Sequence, residues 1–382
     1  MKIDPIQLTT DLINCPSVTP EEGGALILLE AILTKANFKC QRIDRNGIPN
    51  LFARWGSPVS GSTFCFNGHT DVVPPGDLEL WDSNPFKARN DGSFIYGRGA
   101  VDMKSAVAAF VAASLTYLNN SKPKGSIAIA ITGDEEGKAK DGTKAILEWM
   151  KKNNEVIDHC IVGEPTSTTI VGDIIKIGRR GSLTVTFTAI GLQGHVAYPD
   201  KAINPIPAIT DLIRTLTEKP LDSGNKYFDP SSLVVTTIDT NNKTTNLIPG
   251  KIKSTINIRY NDLHSSSTLL NWLKSITSNI EKKYDLKIQI QEQLSGEPFV
   301  TKPDKFSNLI KSAIVKEQNI SPNFSTSGGT SDARFIKNYC PVVEVGLIGQ
   351  TMHKVNERVE IKQIHQLSSI YNEILSSYFR AF

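Results

Sequence analysis

Two residues that can bind a metal stand at the end of one predicted strand. His69 and Asp71 follow an apolar run over residues 62–67, and residues two apart on an extended strand end point to the same side. An imidazole nitrogen and a carboxylate oxygen can therefore meet on one cation, and both are zinc ligands. This pair alone leaves an alternative open, a turn histidine satisfied by ordinary hydrogen bonds.

Further acids stand where other predicted elements begin or end. Asp102 precedes a helix of small residues, where it would either cap the helix or bridge two metals. Glu135 and Glu136 lie in an acidic run directly after an apolar strand, and Glu164 follows the next strand. Such a run is either a solvated turn or is neutralised by cations. Because sites in open α/β sheets form at strand ends, the pattern predicts a functional site there.

The order of the predicted elements changes near residue 180. Before it, apolar strands alternate with helices, which predicts an α/β domain whose central sheet is covered on both faces. After it, the order β-α-β-β-α-β is the split βαβ arrangement of a sheet with helices on one face. The length of 382 residues exceeds a typical single core. We expect a first domain over 1–179 and 295–382, with a domain inserted over 180–294.

Composition and charge give no support for several classes of partner. The formal net charge is only +3, which gives no reason to expect nucleic acid or an anionic membrane. No apolar run reaches the roughly 20 residues that span a bilayer. The first residues lack the apolar core of a signal peptide, and the five cysteines are scattered without a C-x-x-C pair. We therefore expect a cytoplasmic protein with reduced thiols.

The candidate ligands lie within five short motifs: 68–74 (GHTDVVP), 96–104 (YGRGAVDMK), 133–136 (GDEE), 163–166 (GEPT) and 352–357 (MHKVNE). With them, the chain resembles the co-catalytic di-zinc deacylases and exopeptidases over essentially its whole length. The resemblance implies a zinc-exopeptidase-like catalytic domain with a mixed central sheet. It also implies that the inserted domain is ferredoxin-like and serves dimerisation.

The same resemblance implies the ligands of two zinc ions per subunit. His69 and Glu164 would bind one zinc, His353 and Glu136 would bind the other, and Asp102 would bridge them. The resemblance also implies that cobalt or manganese could substitute for zinc. One imidazole and one carboxylate on each metal, with one shared carboxylate, leave each metal open to substrate.

Two neighbouring acids would act without binding metal. Asp71 would orient the imidazole of His69, since a metal-bound histidine usually has a partner for its second ring nitrogen. Glu135 would be the general base on the water that bridges the metals, and it would carry the proton to the leaving amine.

A narrower resemblance rests on segments 178–183 (GRRGSL), 193–199 (QGHVAYP), 245–250 (TNLIPG) and 329–335 (GTSDARF). It implies hydrolysis of the amide of N-succinyl-LL-2,6-diaminopimelate to succinate and LL-2,6-diaminopimelate, a step towards lysine and cell-wall precursors. Gly328 and Ala333 depart mildly from the usual Ser-Gly-Thr-Ser-Asp-Gly-Arg of this loop. The alternatives are an acetylornithine deacetylase-like deacylase, a di-zinc peptidase, or a metal-free binding protein that kept the fold.

Residues of the inserted segment acquire roles only through this resemblance. His195 is a lone histidine in a glycine-rich loop, which by itself indicates a structural or surface residue. The resemblance implies that it comes from the partner subunit of a homodimer and stabilises the tetrahedral oxyanion. Asn246 would contact the substrate from the same partner.

The substrate would meet arginines and a glycine-rich loop. Arg179 and Arg259 can pair with its carboxylates through bidentate forks, although a surface salt bridge is the alternative for Arg259. Thr326, Gly328 and Gly329 would supply donors from the loop, since such loops present backbone N–H groups to anions.

Overall fold

The computed structural model describes residues 2–382, which divide into two compact units. Unit 1 contains the chain up to Ile177, then Thr301–Ser325 and Ser331–Phe382, and unit 2 contains Gly178–Val300 and Thr326–Thr330. The predicted inserted segment, 180–294, lies inside unit 2. The short segment Thr326–Thr330 is held in unit 2 because the hydroxyl of Thr326 donates to the carbonyl of Tyr227 at 2.6 Å.

The described residues form nine α-helices. They are α1 Pro5–Ile13, α2 Ala25–Lys35, α3 Lys104–Asn120, α4 Thr143–Lys152, α5 Ile206–Thr217, α6 Ser266–Tyr284, α7 Lys305–Gln318, α8 Ala333–Ile336 and α9 Ile361–Ala381. None of these helices combines the length and the apolar character that crossing a membrane requires.

The strands of the described residues are β1 Lys39–Arg42, β2 Asn50–Gly56, β3 Thr63–His69, β4 Arg89–Asn90, β5 Phe94–Tyr96, β6 Ser126–Thr132, β7 His159–Val162, β8 Ile174–Lys176, β9 Gly178–Arg179, β10 Gly181–Ile190, β11 Gly194–His195, β12 Ser232–Asp239, β13 Leu247–Ile248, β14 Lys251–Tyr260, β15 Lys287–Gly296, β16 Phe299–Val300, β17 Asn323–Ser325, β18 Val342–Glu344 and β19 Arg358–Glu360.

Unit 1 is organised around an eight-stranded mixed sheet of order β1-β2-β6-β3-β7-β18-β8-β17. Its centre is β6-β3-β7, three parallel neighbours. Every residue of β3 and β6 is buried, as expected for strands covered on both faces. Because the three strands are parallel, their carboxyl ends lie at one edge of the sheet. The segments that follow them are therefore brought together there.

Helix α3 covers one face of this sheet and is buried on nearly all sides. A helix that is apolar all round belongs in a core, and α3 packs against α1, α9 and β3. The ring of Phe110 stacks on Phe66 of β3 with ring centroids 4.3 Å apart, and Tyr371 of α9 meets both rings edge-on. This aromatic cluster fixes the start of α3, and hence Asp102, relative to the end of β3.

Two glycines let the start of α3 approach the strand ends closely. A Cβ atom added to Gly68 of β3 would lie 2.7 Å from the Cε of Met103, and one added to Gly163 after β7 would lie 2.6 Å from the same atom. Any side chain at either position would push Met103, and with it Asp102, away from the sheet.

Unit 2 contains a four-stranded antiparallel sheet of order β12-β14-β10-β15. Helices α5 and α6 pack on one face, where alternate residues of β10 and β14 form a core with Leu212 and Leu273. The chain order β10-α5-β12-β14-α6-β15 is the split βαβ arrangement that the sequence predicts.

The aromatic cluster gives a test of the fold. Replacing Phe66 by Ala (Phe66→Ala) removes a fully buried ring from the stack with Phe110 and should lower the free energy of unfolding by about 3–5 kcal/mol. Val59 is 92% exposed, so Val59→Ala should change it by less than about 0.5 kcal/mol. Urea unfolding followed by circular dichroism measures both. Equal effects of the two substitutions would contradict the central position of Phe66.

Candidate metal centre

The candidate ligands of unit 1 come from five points along the chain. His69 is the last residue of β3, Glu135 and Glu136 follow β6, and Glu164 follows β7. Asp102 stands two residues before α3, joined to Met103 by a cis peptide bond. His353 precedes β19, and the pairing of β19 with β5 brings its loop beside the Asp102 loop. The parallel strands β6, β3 and β7 and the antiparallel pair β5–β19 thus bring all the candidate ligands together.

His69 is held at one ring nitrogen and faces carboxylates with the other. Its Nδ1 lies 2.9 Å from the backbone carbonyl oxygen of Asp71. Its Nε2 lies 3.1 Å from Oδ1 of Asp102 and 3.7 Å from Oε1 of Glu164. An imidazole anchored in this way presents Nε2 as a ligand atom.

Asp102 stands between the two histidines. Its Oδ2 lies 3.3 Å from Nε2 of His353, whereas its Oδ1 faces His69. The Nε2 of His353 is also 2.7 Å from Oε1 of Glu136. The N-cap of α3 is Met103, without a side-chain capping bond, so the alternative of Asp102 as a helix cap is wrong. A carboxylate with one oxygen towards each imidazole is suited to bridging two cations.

The donor set fits divalent metals. Ligand atoms of His69, Asp102 and Glu136 lie within 4.8 Å of one another, as do those of His69, Glu135 and Glu164. Nitrogen and carboxylate oxygen donors at such separations suit zinc or a similar ion. Acids outnumber histidines in this largely buried site, and buried negative charge is costly unless a cation neutralises it.

The acidic run after β6 divides into a structural acid and two site acids. Asp134 is buried and accepts backbone N–H groups of Lys138, Lys140 and Asp141 at 2.8–3.0 Å, so it folds the turn. Glu135 and Glu136 point to the ligand cluster instead. The alternative of a solvated acidic turn is therefore wrong for this run.

The carboxylate of Asp71 organises the same turn. Its two oxygens accept the backbone N–H groups of Glu135 (3.3 Å) and Glu136 (3.0 Å). Its Oδ1 lies 3.7 Å from Nδ1 of His69, farther than the carbonyl oxygen of the same residue. Asp71 thus touches His69 mainly through its backbone, while its side chain fixes the turn that carries two acids.

In the absence of a cation, protons supply the positive charge of the site. Burial alone would lower the pKa of His69, but the hydrogen bond to Asp102 and the charge of Glu164 raise it well above its usual value. Hydrogen bonds to Asp102 and Glu136 raise the pKa of His353 to about 10. Burial opposes ionisation of Asp102, yet its bonds to both histidines hold its pKa well below its usual range.

Two acids of the site hold protons more tightly than usual. Burial, followed by the negative charge of Glu164, raises the pKa of Glu135 well above its usual value. Burial raises the pKa of Asp71 to about 7, against the opposing effect of the charge of His69 and of two backbone N–H groups. A carboxyl group that accepts a proton readily is suited to general base and acid chemistry.

Part of the predicted substrate set lies together in unit 2. Arg179 donates from Nη1 to the carbonyl of Gly329 at 3.1 Å, and the Cα of Gly328 approaches the same guanidinium so closely that a Cβ would lie 2.6 Å from it. Gly328 has φ of +106°, which favours glycine. The hydroxyl of Thr326 is engaged by Tyr227, so Thr326 fastens this loop within unit 2.

Arg259 lies on β14 beside a second arginine. Its Nε donates to Asn257 at 3.0 Å, and no carboxylate lies within salt-bridge distance of Arg259 or Arg180 among residues 2–382. Burial and the charge of Arg180 lower the pKa of Arg259. The alternative of a surface salt bridge at Arg259 is therefore wrong, and its positive charge remains available to an anion.

His195 and Asn246 are neighbours in unit 2. Strand β11, which includes His195, pairs with β13, and the N–H of Val196 donates to the carbonyl of Asn246 at 3.1 Å. His195 is exposed, with its ring beside Tyr198. The glycine-rich loop predicted around His195 therefore contains a short strand that places these two residues together.

Sequence reasoning missed two residues next to the metal centre. Arg98 and Glu357 form a buried ion pair, 2.8 Å between Nη1 and Oε2, within the segments that carry the family resemblance. A buried opposite-charge pair cannot be recognised from sequence, because its partners stand 259 residues apart.

The comparisons agree with this architecture and chemistry. Residues 65–377 match peptidase family M20/M25/M40, and the chain belongs to this family. Two relatives with one printed name are similar to this chain over nearly its whole length. The succinyl-diaminopimelate desuccinylase of Dinoroseobacter shibae is 54% identical over 376 residues, which is 98% of this chain and 99% of that protein. The enzyme of the same name from Cereibacter sphaeroides (strain ATCC 17025) is 52% identical over 379 residues, 99% of this chain and 100% of that protein.

Solved structures confirm the fold. A tripeptidase from Staphylococcus aureus superposes with a TM-score of 0.80 at 18% identity, covering 98% of each chain. The Bacillus subtilis YXEP protein, described as a dinuclear metal binding peptidase from the M20 family, superposes with a TM-score of 0.73 at 14% identity, covering 98% of this chain and 97% of that chain. The resemblance inferred from the sequence motifs and the fold class that it implied are both confirmed.

The raised histidine pKa values predict proton release on metal binding. At pH 8 the proton of His353 is present, because its pKa of about 10 must be exceeded before it is lost, so an incoming metal must displace it. Titrating Zn²⁺ into metal-free protein in buffers of different ionisation enthalpy counts the protons. His353→Ala should lower the count by about one.

The control for this titration is His159, whose pKa burial lowers, so that it carries no proton to displace at pH 8. His159→Gln should leave the count unchanged. Release that is the same in His353→Ala and the unmodified protein would contradict the placement of His353 at the metal centre.

Proposed function

We propose that this chain hydrolyses the amide bond of N-succinyl-LL-2,6-diaminopimelate to succinate and LL-2,6-diaminopimelate, as a cytoplasmic step towards lysine and cell-wall precursors. The observation that carries the reaction class is Asp102, with one oxygen towards each of two histidines. Full-length identity above 50% to proteins named succinyl-diaminopimelate desuccinylase supports the substrate.

Two zinc ions are the proposed cofactors, and Co²⁺ or Mn²⁺ can replace them. His69 and Glu164 would hold one ion, His353 and Glu136 the other, and Asp102 both. Two such ions, when bound, acidify a water molecule and polarise the scissile carbonyl. Support comes from the proximity of these ligand atoms and from the burial of an excess of acids.

Glu135 is the proposed general base. It lies within 4.8 Å of ligand atoms of His69 and Glu164, close enough to take a proton from the attacking water. Its raised pKa favours keeping that proton until the leaving amine accepts it. Asp71 supports this role by fixing the backbone of Glu135 and Glu136.

Arginines of unit 2 are proposed to bind the substrate carboxylates. Among residues 2–382, no carboxylate lies within salt-bridge distance of Arg259 or its neighbour Arg180. Arg179 contacts the loop of Gly328 and Gly329. Guanidinium forks bind carboxylates bidentately. The succinyl substrate has a carboxylate on its acyl group and acetylornithine does not, so this concentration of positive charge favours the succinyl compound over the acetyl one.

We further propose a homodimer formed through unit 2. Strand β12 is an edge strand that pairs only with β14 within the described residues, and Val234 and Ile238 on it are 55% and 56% exposed. Such an edge invites pairing with a second chain. In this arrangement His195 and Asn246 of one subunit would serve the partner's site, His195 as a donor to the tetrahedral oxyanion.

A substrate panel tests the proposed activity. Purified protein loaded with Zn²⁺ should cleave N-succinyl-LL-2,6-diaminopimelate and should leave N-acetylornithine and unblocked dipeptides essentially intact, as measured by amine release. Cleavage of acetylornithine instead would keep the mechanism and change the substrate. Two bound metals with no cleavage of any of these amides would refute the proposed function.

The variant Glu135→Gln tests whether Glu135 is the general base of the reaction. The variant should bind both metals, because Glu135 is not among the proposed ligands, and lose about 10²–10⁴-fold in kcat. The exposed Glu317 provides the matched control, and Glu317→Gln should retain full activity. Turnover by Glu135→Gln at the normal rate would exclude Glu135 as the base.

Subunit mixing tests the dimer. Glu135→Gln and His195→Ala chains should each be inactive, whereas a mixed dimer contains one site with an intact Glu135 and an intact partner His195. Equal mixing should restore about a quarter of full activity, since half of the dimers are mixed and each has one working site. Mixing Glu135→Gln with the double variant E135Q/H195A should restore none. If the first mixture also stays inactive after verified subunit exchange, His195 does not act across an interface.

A further inference from the structure

A buried ion pair contacts the backbone of two proposed metal ligands, Asp102 and His353. Arg98 and Glu357 are 2% and 0% exposed, with Nη1 and Oε2 2.8 Å apart. A buried pair of this kind contributes little net stability, because desolvation of both charges offsets their attraction. A gain in core stability therefore does not account for the contacts that this pair makes.

Glu357 holds the backbone of the loop that presents Asp102. Its Oε1 accepts the N–H groups of Val101 (2.9 Å) and Asp102 (3.2 Å), and its Oε2 accepts the N–H of Gly99 (3.1 Å). One carboxylate thus fixes three peptide groups immediately before and at the proposed bridging ligand.

Arg98 holds two other loops. Its Nη1 donates to the carbonyl of Lys354 (3.2 Å), and its Nη2 to those of His353 (3.5 Å) and Pro74 (3.3 Å). Its guanidinium lies over the ring of Trp81, 5.2 Å from the ring centroid. His353 itself has φ of +60°, a left-handed conformation that a non-glycine residue adopts only when its surroundings enforce it.

We propose that Arg98 and Glu357 are positioning residues that set the geometry of the metal centre before metal binds. Together they join the loops that follow His69, precede α3 and contain His353. The inference rests on the proposed metal centre. Because Arg98 contacts the backbone of His353 directly, the metal held by His353 and Glu136 depends on the pair more strongly than the metal held by His69 and Glu164.

Metal affinity of the substrate-free protein tests this inference. Glu357→Gln and Arg98→Lys should weaken binding of the metal held by His353 and Glu136 by about 10–100-fold, and binding of the other metal by less, because losing a hydrogen-bond partner of a ligand usually has an effect of this size. Competition with a chromophoric chelator measures both affinities, and the absorption spectrum of the Co²⁺ form reports ligand geometry. In the hydrolysis assay at limiting metal, kcat should fall while KM changes little.

A second ion pair in unit 1, between a buried arginine and a partly exposed glutamate, gives control variants. Arg54 is 5% exposed and lies 2.6 Å from Glu155, but it bonds to Thr63 and Ser126, the first residues of β3 and β6. This is the opposite end of β3 from His69, about 20 Å away. Arg54→Lys should lower the thermal midpoint of the metal-free protein about as much as Arg98→Lys does, since both arginines are buried, and Glu155→Gln should lower it less, since Glu155 is 25% exposed on its side chain. They should leave metal affinity within about twofold, as for independent sites.

Several outcomes overturn the inference. One is an unchanged metal affinity in both test variants. Another is a loss of metal affinity in the Arg54 and Glu155 controls that equals the loss in the test variants. If Glu357→Gln does not fold, Arg98→Lys decides alone, since lysine keeps the charge and loses the guanidinium fork. A protein that binds two metals but leaves the succinyl substrate intact refutes the proposed function without touching this inference. A protein that binds no metal refutes both.

Discussion

The structure of unit 1 depends on how negative charge is tolerated at one edge of its central sheet. The parallel strands β6, β3 and β7 end side by side, and the acids that follow them converge with Asp102 in a largely buried space. Buried carboxylates of one sign repel each other and lose hydration. Two histidines reduce this cost when protonated, and divalent cations remove more of it. The ligand cluster is therefore stable only as a site for positive charge.

The surrounding side chains hold that charged cluster in one arrangement. Asp71 fixes the turn with Glu135 and Glu136, Asp134 folds the rest of that turn, and the Arg98–Glu357 pair ties the remaining loops together. Each of these charged side chains forms hydrogen bonds with backbone groups of the loops and not with the side chain of a proposed ligand. Ligands supplied by loops thereby acquire the precision that a metal site needs.

The two units carry different parts of the proposed activity. The proposed metal ligands and the base belong to unit 1, whereas the arginines, the glycine loop and His195 belong to unit 2. The short segment Thr326–Thr330, which lies between two segments of unit 1, belongs to unit 2, where the hydroxyl of Thr326 donates to the carbonyl of Tyr227. In this proposal, the residues for the reaction and the residues for substrate preference belong to separate units.

The sequence by itself determined the fold class, the family and the identity of the candidate ligands, because strand periodicity and short motifs are local properties of the chain. The sequence could not decide whether Asp102 caps a helix or bridges two metals, or whether the acidic run after β6 is solvated or buried. Both points depend on which atoms of distant segments contact these carboxylates. Nor could the sequence reveal Arg98 and Glu357 as a pair, Asp71 as the support of the turn, or Arg259 as an unneutralised charge. Only the tertiary structure decided these points, because burial and contact between distant segments set the cost of each charge.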